Sequence, residues 1–578
     1  MARLQGFLPS AWALSNRSVA FRTAVACRPA AALFPRYGCI ARAFSCAHGN
    51  KHVTAAASSS YAWPVYHALQ QRWSSTTVHQ DLEVKLTAPN GISWVQPLGL
   101  FINNEFVRSS NAQKFETLNP TTESAICSVY AATEKDVNAA VHAAKTAFKA
   151  PSWRSLSGTQ RSEFMFKLAD LIDQHAETLA TIETLDNGKP LSASRGFDVP
   201  HFSEVIRYYA GYADKIHGQT MDVGPNKLAY TIKEPLGVCA QIIPWNYPLD
   251  MAAWKLGPAL ACGNTVVLKL AEQTPLSMLY VATLIREAGF PPGVVNIING
   301  TGRETGPALV QHADVAKVAF TGSTATGREI MRMAAGTLKN ITLETGGKSP
   351  LIVFEDADIA QAAHWAHEGV MSNQGQMCTA TSRLLVHKGV MDEFLEGFMK
   401  TVRQISVVGD PFASSTFQGP QVTRAQYERV LEYVSIARSE GATVYAGGTP
   451  VDALQSGKGF FIEPTIFTDI TPDMRVYREE IFGPCVVVVP FSSEEEAIAL
   501  ANGSSYGLGA AVFTQNISRG HRVAREIEAG MVWINSSNDS DFRVPFGGVK
   551  QSGIGRELGE AGLQGYSQIK AVHVNLGS

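Results

Sequence analysis

The first 80 residues contain no aspartate and no glutamate; Asp81 is the first acid of the chain. The same stretch holds seven arginines and one lysine in a background rich in Ala and Ser. A nucleic-acid-binding arm would be denser in basic residues, and no nucleic-acid partner is expected. Arginines interrupt every apolar core that could serve a secretory signal. The composition is that of a mitochondrial transit peptide, which predicts the mitochondrial matrix as destination and places residues 1–80, presequence and linker, outside the fold. Arg42-Ala-Phe-Ser45 and Arg72-Trp-Ser74 both read as processing sites. Of the chain's 49 basic and 51 acidic residues, eight basic and no acidic ones lie in this segment. The remainder therefore carries 41 against 51, a net charge of −10.

Long apolar runs are also missing. No uninterrupted apolar stretch reaches about 18 residues, so no membrane-spanning helix is expected. The eight cysteines include no Cys-x-x-Cys pair and form no dense framework, which argues against disulfides and zinc and for a reducing compartment. His364 and His367 could share one helical face, but no third ligand is evident, and no metal is expected.

What remains is ordinary globular material: 578 residues, 45% hydrophobic and 17% charged, long enough for more than one domain. The folded part is expected to open near Leu98, with a strand pair turning at Asn103-Asn104. Thr133 is placed to cap a helix carrying Val137, Ala140, Val141, Ala144 and Phe148 at helical spacing. A longer helix is expected from about Thr159, striped by Leu168, Leu171, Ile172, Leu179 and Ile182 and stopped at Asn187-Gly188-Lys-Pro190. Residues 215–233 read as an extended hairpin turning at Gly224-Pro225-Asn226. Beyond Gly237 the pattern alternates: strands at Val238–Ile243, Thr265–Leu270, Val294–Ile298 and Val315–Phe320, with a helix at Pro275–Ala288. Such alternation predicts an α/β fold with a doubly wound parallel sheet, whose ligands sit at the C-terminal ends of its strands. Val486–Val489, β-branched and bounded by prolines, suits a further buried strand.

The segment Met371-Ser-Asn-Gln-Gly-Gln-Met-Cys-Thr-Ala-Thr381 centres on Cys378, and Ile341-Thr-Leu-Glu-Thr-Gly-Gly-Lys-Ser-Pro350 presents Glu344. A thiol can attack a carbonyl, and a carboxylate can activate the water that later releases an acyl group. Gly375 allows a close backbone approach, while Gln374, Gln376 and Thr379 leave room for a substrate and a cofactor ring. Gly347-Lys348-Ser349 looks like the end of a phosphate-binding P-loop. The position where that motif needs its first glycine is Thr342, so that assignment is rejected.

Asn-Gln-Gly-Gln-x-Cys at Cys378 resembles the active-site cysteine signature of the aldehyde dehydrogenases, and Leu-Glu-Thr-Gly-Gly-Lys-Ser-Pro their active-site glutamate signature. The resemblance runs from about Leu98 to the C-terminus, with several motifs in the family's order. It implies a Rossmann-like doubly wound NAD-binding domain over residues 98–214 and 234–346, and a second α/β catalytic domain over 347–556. Residues 215–233 and 567–578 would be oligomerisation segments, building a homodimer or homotetramer. The implied reaction oxidises aliphatic and aromatic aldehydes to carboxylic acids with NAD and water, through a thioester on Cys378.

The resemblance also distributes roles. Cys378 is the nucleophile, Glu344 the base, and Asn246 of Ile242-Ile-Pro-Trp-Asn-Tyr-Pro248 the oxyanion donor. Thr321-Gly-Ser-Thr-Ala-Thr-Gly327 matches a variant Rossmann loop, with Gly322, Ser323 and Gly327 at a helix start that can receive pyrophosphate. Position 325 is Ala where many members carry an acid. Lys269 and Glu272 suit the adenosine ribose, and Glu272 implies NAD over NADP. Glu480 and Phe482 suit the nicotinamide end. Ile243, Pro244, Trp245, Gly302 and Gly346 complete the cofactor set, and Tyr247, Met251, Trp254 and Phe546 outline an apolar substrate tunnel. No Arg or Lys is aimed into that tunnel, which disfavours aldehydes bearing a carboxylate. Two alternatives stay open: a coenzyme-A-acylating semialdehyde dehydrogenase, against which Glu344 argues, and a non-catalytic structural homologue. No cation beside Cys378 explains its activation.

Overall fold

The computed structural model describes residues 81–577; the acid-free segment and both processing sites lie outside them. Strands begin earlier than the expected Leu98. Glu83–Thr87 and Ser93–Pro97 pair antiparallel, with Leu86 opposite Trp94. The turn between them is Ala88-Pro-Asn-Gly91, a standard hairpin breaker, with Gly91 at φ +84°. The pair at Leu100–Ile102 and Glu105–Val107 forms as expected, with Asn103 and Asn104 both left-handed.

Thr133 caps the helix Glu134–Lys149: its side chain accepts from the Asp136 N–H, and the Asp136 carboxylate returns to the Thr133 N–H. The single long helix expected after Thr159 is two, Gly158–Gln174 and Ala176–Asn187. The His175 N–H divides between the Leu171 and Ile172 carbonyls (3.0 and 3.2 Å), tightening the turn, while its ring nitrogen meets the Tyr280 hydroxyl at 2.9 Å. The apolar stripe survives the break, for all five predicted residues are buried. Gly188 ends the second helix at φ +87°. His364 and His367 do not share a face: the first is exposed, the second buried with its Nε2 on the Ser406 hydroxyl.

Two large sheets dominate. The first has five parallel strands in the spatial order Asn340–Glu344, Val315–Thr321, Val238–Ile242, Thr265–Lys269, Val295–Ile298, with antiparallel additions at both ends. Val238–Ile242 comes first in sequence and lies in the middle, and the chain winds outward from it in both directions. Ile242 is in register with Lys269 on one side and Phe320 on the other. The crevice beside its C-terminal end is the switch point of a doubly wound sheet. The second sheet has six parallel strands and one antiparallel edge strand, Thr443–Ala446. Its core strands include Pro350–Val353, Arg383–His387 and Cys485–Phe491, and the last is buried except at Pro490. A separate three-stranded sheet joins Thr220–Asp222, Lys227–Pro235 and Ser567–Asn575.

The two sheets meet end to end in a polarised way. Glu344 is the last residue of a first-sheet strand. Cys378 lies between the helix Ile359–Met371 and the start of Arg383–His387, and Glu480 precedes Cys485–Phe491. The first sheet thus offers the C-terminal ends of its strands and the second offers N-terminal ends.

Candidate active site

A cavity of about 510 Å³ lies where those ends face each other. It is lined by Pro244, Trp245 and Asn246 after one strand, by Thr321-Gly322-Ser323 after another, and by Glu344 and Gly346. The second sheet adds Cys378, Glu480 and Phe482. Tyr247, Met251, Trp254 and Phe546 close the other side, with Trp254 edge-on to Phe546 at 4.7 Å between ring centroids.

The cysteine loop is held in an unusual backbone. Asn373, Gln374 and Gly375 are left-handed in succession, at φ +50°, +58° and +69°. Gly375 has no room for a side chain, since a Cβ there would lie 2.0 Å from the Gly483 carbonyl oxygen. The loop is pinned to the first sheet by Asn246, whose Nδ2 donates to the Gln376 carbonyl (3.0 Å), and by Asn373, whose Nδ2 donates back to the Asn246 carbonyl (3.0 Å). An amide nitrogen carries two N–H groups, so Asn246 keeps one for a further acceptor. Burial, reinforced by the carboxylates of Glu480 and Glu344, pushes the Cys378 thiol up to about 12.

Glu344 is buried, and neither carboxylate oxygen has a hydrogen-bond partner. Burial first, and then the nearby Glu557, raise its pKa well above the ordinary carboxylate value, against Lys255 and Arg556. Such a group is a base that water could satisfy. Glu557 itself is bound to Lys255 (2.7 Å), whose ammonium also reaches the Thr321 hydroxyl (2.6 Å). Neither Lys255 nor Glu557 was singled out by sequence, because a lysine within an apolar helix and an acid after a glycine run carry no distinguishing pattern.

Glu480 accepts from the Gly347 N–H (2.9 Å) and packs so closely on Gly346 that a Cβ there would lie 2.3 Å from its carboxylate. Burial raises its pKa to about 7. Phe482, at φ +65°, meets Trp245 edge-on at 5.3 Å. Ser323 caps the helix Thr324–Ala334 by accepting from the Thr326 N–H, the Gly327 N–H returns to the Ser323 carbonyl, and Gly322 donates to the Glu344 carbonyl (3.0 Å). Lys269, buried, donates to the Leu270 carbonyl (2.9 Å) and stands 3.5 Å from Glu272. Both lie at the same sheet edge but outside the cavity lining. So do Ile243, whose N–H bonds the Lys269 carbonyl, and Gly302, which follows the next strand.

The substrate side is not wholly apolar, for Asn538 and Ser540 line the cavity as well. Asp250, in the first turn of the helix Pro248–Ala261, also lines the cavity. An acid in a first helical turn is ordinarily a dipole partner, which is why its residue type gave no signal.

A nucleotide-type crevice opening onto a cysteine, an amide donor and an unpartnered carboxylate defines a thiol-dependent dehydrogenase acting on a carbonyl. Residues 106–572 match the Aldehyde dehydrogenase family. An aldehyde dehydrogenase of Aspergillus niger is 52% identical over 498 residues, covering 86% of this chain and 99% of its own. An NAD(P)+ aldehyde dehydrogenase of Saccharomyces cerevisiae is 48% identical, covering 86% and 99%. The solved NAD+ complex of an aldehyde dehydrogenase from Bacillus cereus superposes with a TM-score of 0.81 at 50% identity, covering 83% of this chain and 97% of its own. The chain belongs to the aldehyde dehydrogenase family.

Proposed function

We propose that the chain oxidises aldehydes to carboxylic acids with NAD+ and water, through a thioester on Cys378. The observation that carries this reading is the unpartnered Glu344 carboxylate in the cavity that Cys378 and Asn246 line. The residues present fit the dinucleotide. The helix start at Ser323 suits a pyrophosphate, the buried Lys269 ammonium with Glu272 suits the adenosine ribose, and Glu480 suits the second ribose, with Phe482 alongside. When bound, NAD+ supplies the hydride acceptor.

Once its S–H proton has passed to water, the Cys378 thiolate bonds to the aldehyde carbon as the carbonyl π bond opens, and the oxygen, now an oxyanion, is received by the remaining Asn246 amide N–H and the Cys378 backbone N–H. Loss of hydride from that carbon leaves a thioester. Glu344 then takes a proton from water as its oxygen bonds to the acyl carbon, the carbon–sulfur bond breaks, and the acid leaves with the thiolate restored. The proton on Glu344 has Glu557 and Lys255 beyond it.

Cys378→Ala should abolish even the first turnover. Glu344→Gln should keep a burst of reduced cofactor while steady turnover falls by roughly 10²–10⁴. Wild-type turnover in Glu344→Gln would remove Glu344 from the mechanism. Run with both cofactors, the same assay should show lower efficiency with NADP+, because Glu272 meets the added phosphate as like charge. Equal efficiency would overturn that role.

The Arg-rich, acid-free segment supports import into the mitochondrial matrix, and an intact Met1 on protein confined to the cytosol would refute it. The strand Ser567–Asn575 and the hairpin it joins support a homodimer or homotetramer.

A further inference from the structure

Asp250 is the one acid on the substrate side of the Cys378 cavity for which the mechanism has no use. It sits one residue before Met251 and four before Trp254, both of which line the same cavity. It is buried, and neither carboxylate oxygen accepts a hydrogen bond from a donor. Asp198 is the acid that bears on it most strongly. As a carboxylate Asp250 faces no donor. Burial, Asp198 and Glu183 all favour its protonated state, against Lys189.

The single ammonium nearby is already committed. Lys189 Nζ lies 2.5 Å from Asp198 Oδ2, with both side chains buried, and 4.1 Å from the centre of the Tyr247 ring. A second cavity, of about 440 Å³, adjoins the first, sharing Phe197, Tyr247, Met377 and Asn538 with it. Its wall carries Asp198 and a further acid, Glu368, with Trp365 and Phe417. On the side away from the cofactor groups, then, Asp250, Asp198 and Glu368 stand with one lysine, Lys189, among aromatic rings, and the Ser372 hydroxyl already donates to Glu368.

We propose that the physiological aldehyde carries a positive charge on its tail, as an amino or quaternary-ammonium group, and that Asp250 selects it. The proposal rests on the aldehyde-oxidising reading above and names its substrate class. A cation entering between Tyr247 and Asp250 supplies the countercharge that Asp250 lacks, Lys189 being taken by Asp198, and lets Asp250 release its proton. The aromatic faces attract the same group through their ring quadrupoles. A tail bearing a carboxylate would find no free cation there, because Lys189 is committed to Asp198, and would meet Glu368 as like charge, so the cluster also selects against that tail.

The test compares shapes that differ only in charge. Trimethylammonio aldehydes of three chain lengths are paired with their neutral tert-butyl isosteres, and kcat/KM is measured from reduced-cofactor formation for the wild type, Asp250→Leu and Asp250→Asn. The wild type should favour the charged partner about tenfold or more at one or more lengths, and both variants should lose most of that ratio. The Asn variant keeps the side-chain volume, and should one variant fail to fold, the other and the wild-type ratios still decide. Preference for the neutral partner at every length, or a charge preference unchanged in both variants, overturns the proposal while leaving aldehyde oxidation intact. Failure of the wild type on both series while a simple unbranched aldehyde is oxidised also overturns the proposal, whereas failure on all three would instead refute the aldehyde-oxidising reading itself.

Discussion

Cys378 is a weak nucleophile in the protein alone. Its thiol is pushed up to about 12 by burial and by two carboxylates, and only the thiolate attacks carbonyls or alkylating agents. Without cofactor, alkylation of Cys378 by iodoacetamide should therefore rise about tenfold per pH unit from pH 7 to 10, with no plateau. Glu480 is the larger of the two charged causes, so Glu480→Gln removes negative charge from beside the sulfur and should speed alkylation at pH 8–9. Labelling followed by mass spectrometry would measure both; a plateau below pH 9, or slower labelling in the variant, would contradict this electrostatic account. At this scale the sequence was informative wherever chemistry came with a local pattern. Cys378, Glu344, Asn246, Glu480 and Phe482 all lie in short motifs and all line one cavity. Asp250 was hidden because its type is normal for a helix start, and Glu557 because it closes a glycine-rich run; their significance is spatial.

The element that decides the site is the turn that carries the cysteine. Three consecutive left-handed residues are held by the Asn246–Gln376 and Asn373–Asn246 bonds and by the contact of Gly375 with Gly483. Alanine at 375 would adopt a backbone conformation costing about 1–2 kcal/mol, and its Cβ would collide with the Gly483 carbonyl. Gly375→Ala should therefore destabilise the protein by about 2 kcal/mol or more and, by displacing Cys378, lower turnover further than the folded fraction explains. Denaturant unfolding and active-site titration would separate the two effects; wild-type stability with wild-type turnover would show that the turn tolerates a side chain. Sequence marked Gly375 as a place of close approach but not the partner, since Gly483 lies more than a hundred residues on. Helices and parallel strands were legible because period and composition agree locally. The Glu83–Thr87 hairpin was missed although its Pro89-Asn90-Gly91 signal was present, and the break at His175 left no trace because the apolar stripe runs through it.

At the scale of the whole molecule, one small sheet carries an apolar stripe on one face. In the sheet of Lys227–Pro235 and Ser567–Asn575, Tyr230 pairs with Val572 and Leu228 with Val574, and side chains of paired residues share a face. Ile232, two residues from Tyr230, lies on that face too, opposite Lys570. Leu228 and Ile232 are exposed, while Tyr230, Val572 and Val574 are half-buried. The other face is mixed, with Thr231, Lys233 and His573. The outer strand Ser567–Asn575 also has a free edge of nine residues, a length that natural sheets usually cover. An apolar stripe and an open edge on one small sheet support the proposed homodimer or homotetramer. Sedimentation velocity at micromolar concentration should show an assembly of at least two chains. Placing lysine at Ile232 and glutamate at Val572 would bury unpaired charge in that contact, at about 2 kcal/mol or more each, weakening association roughly thirtyfold per substitution. The variants should sediment as smaller species that reassociate as concentration rises. A wild type that sediments as a monomer throughout would mean that this sheet is covered by something other than a second copy.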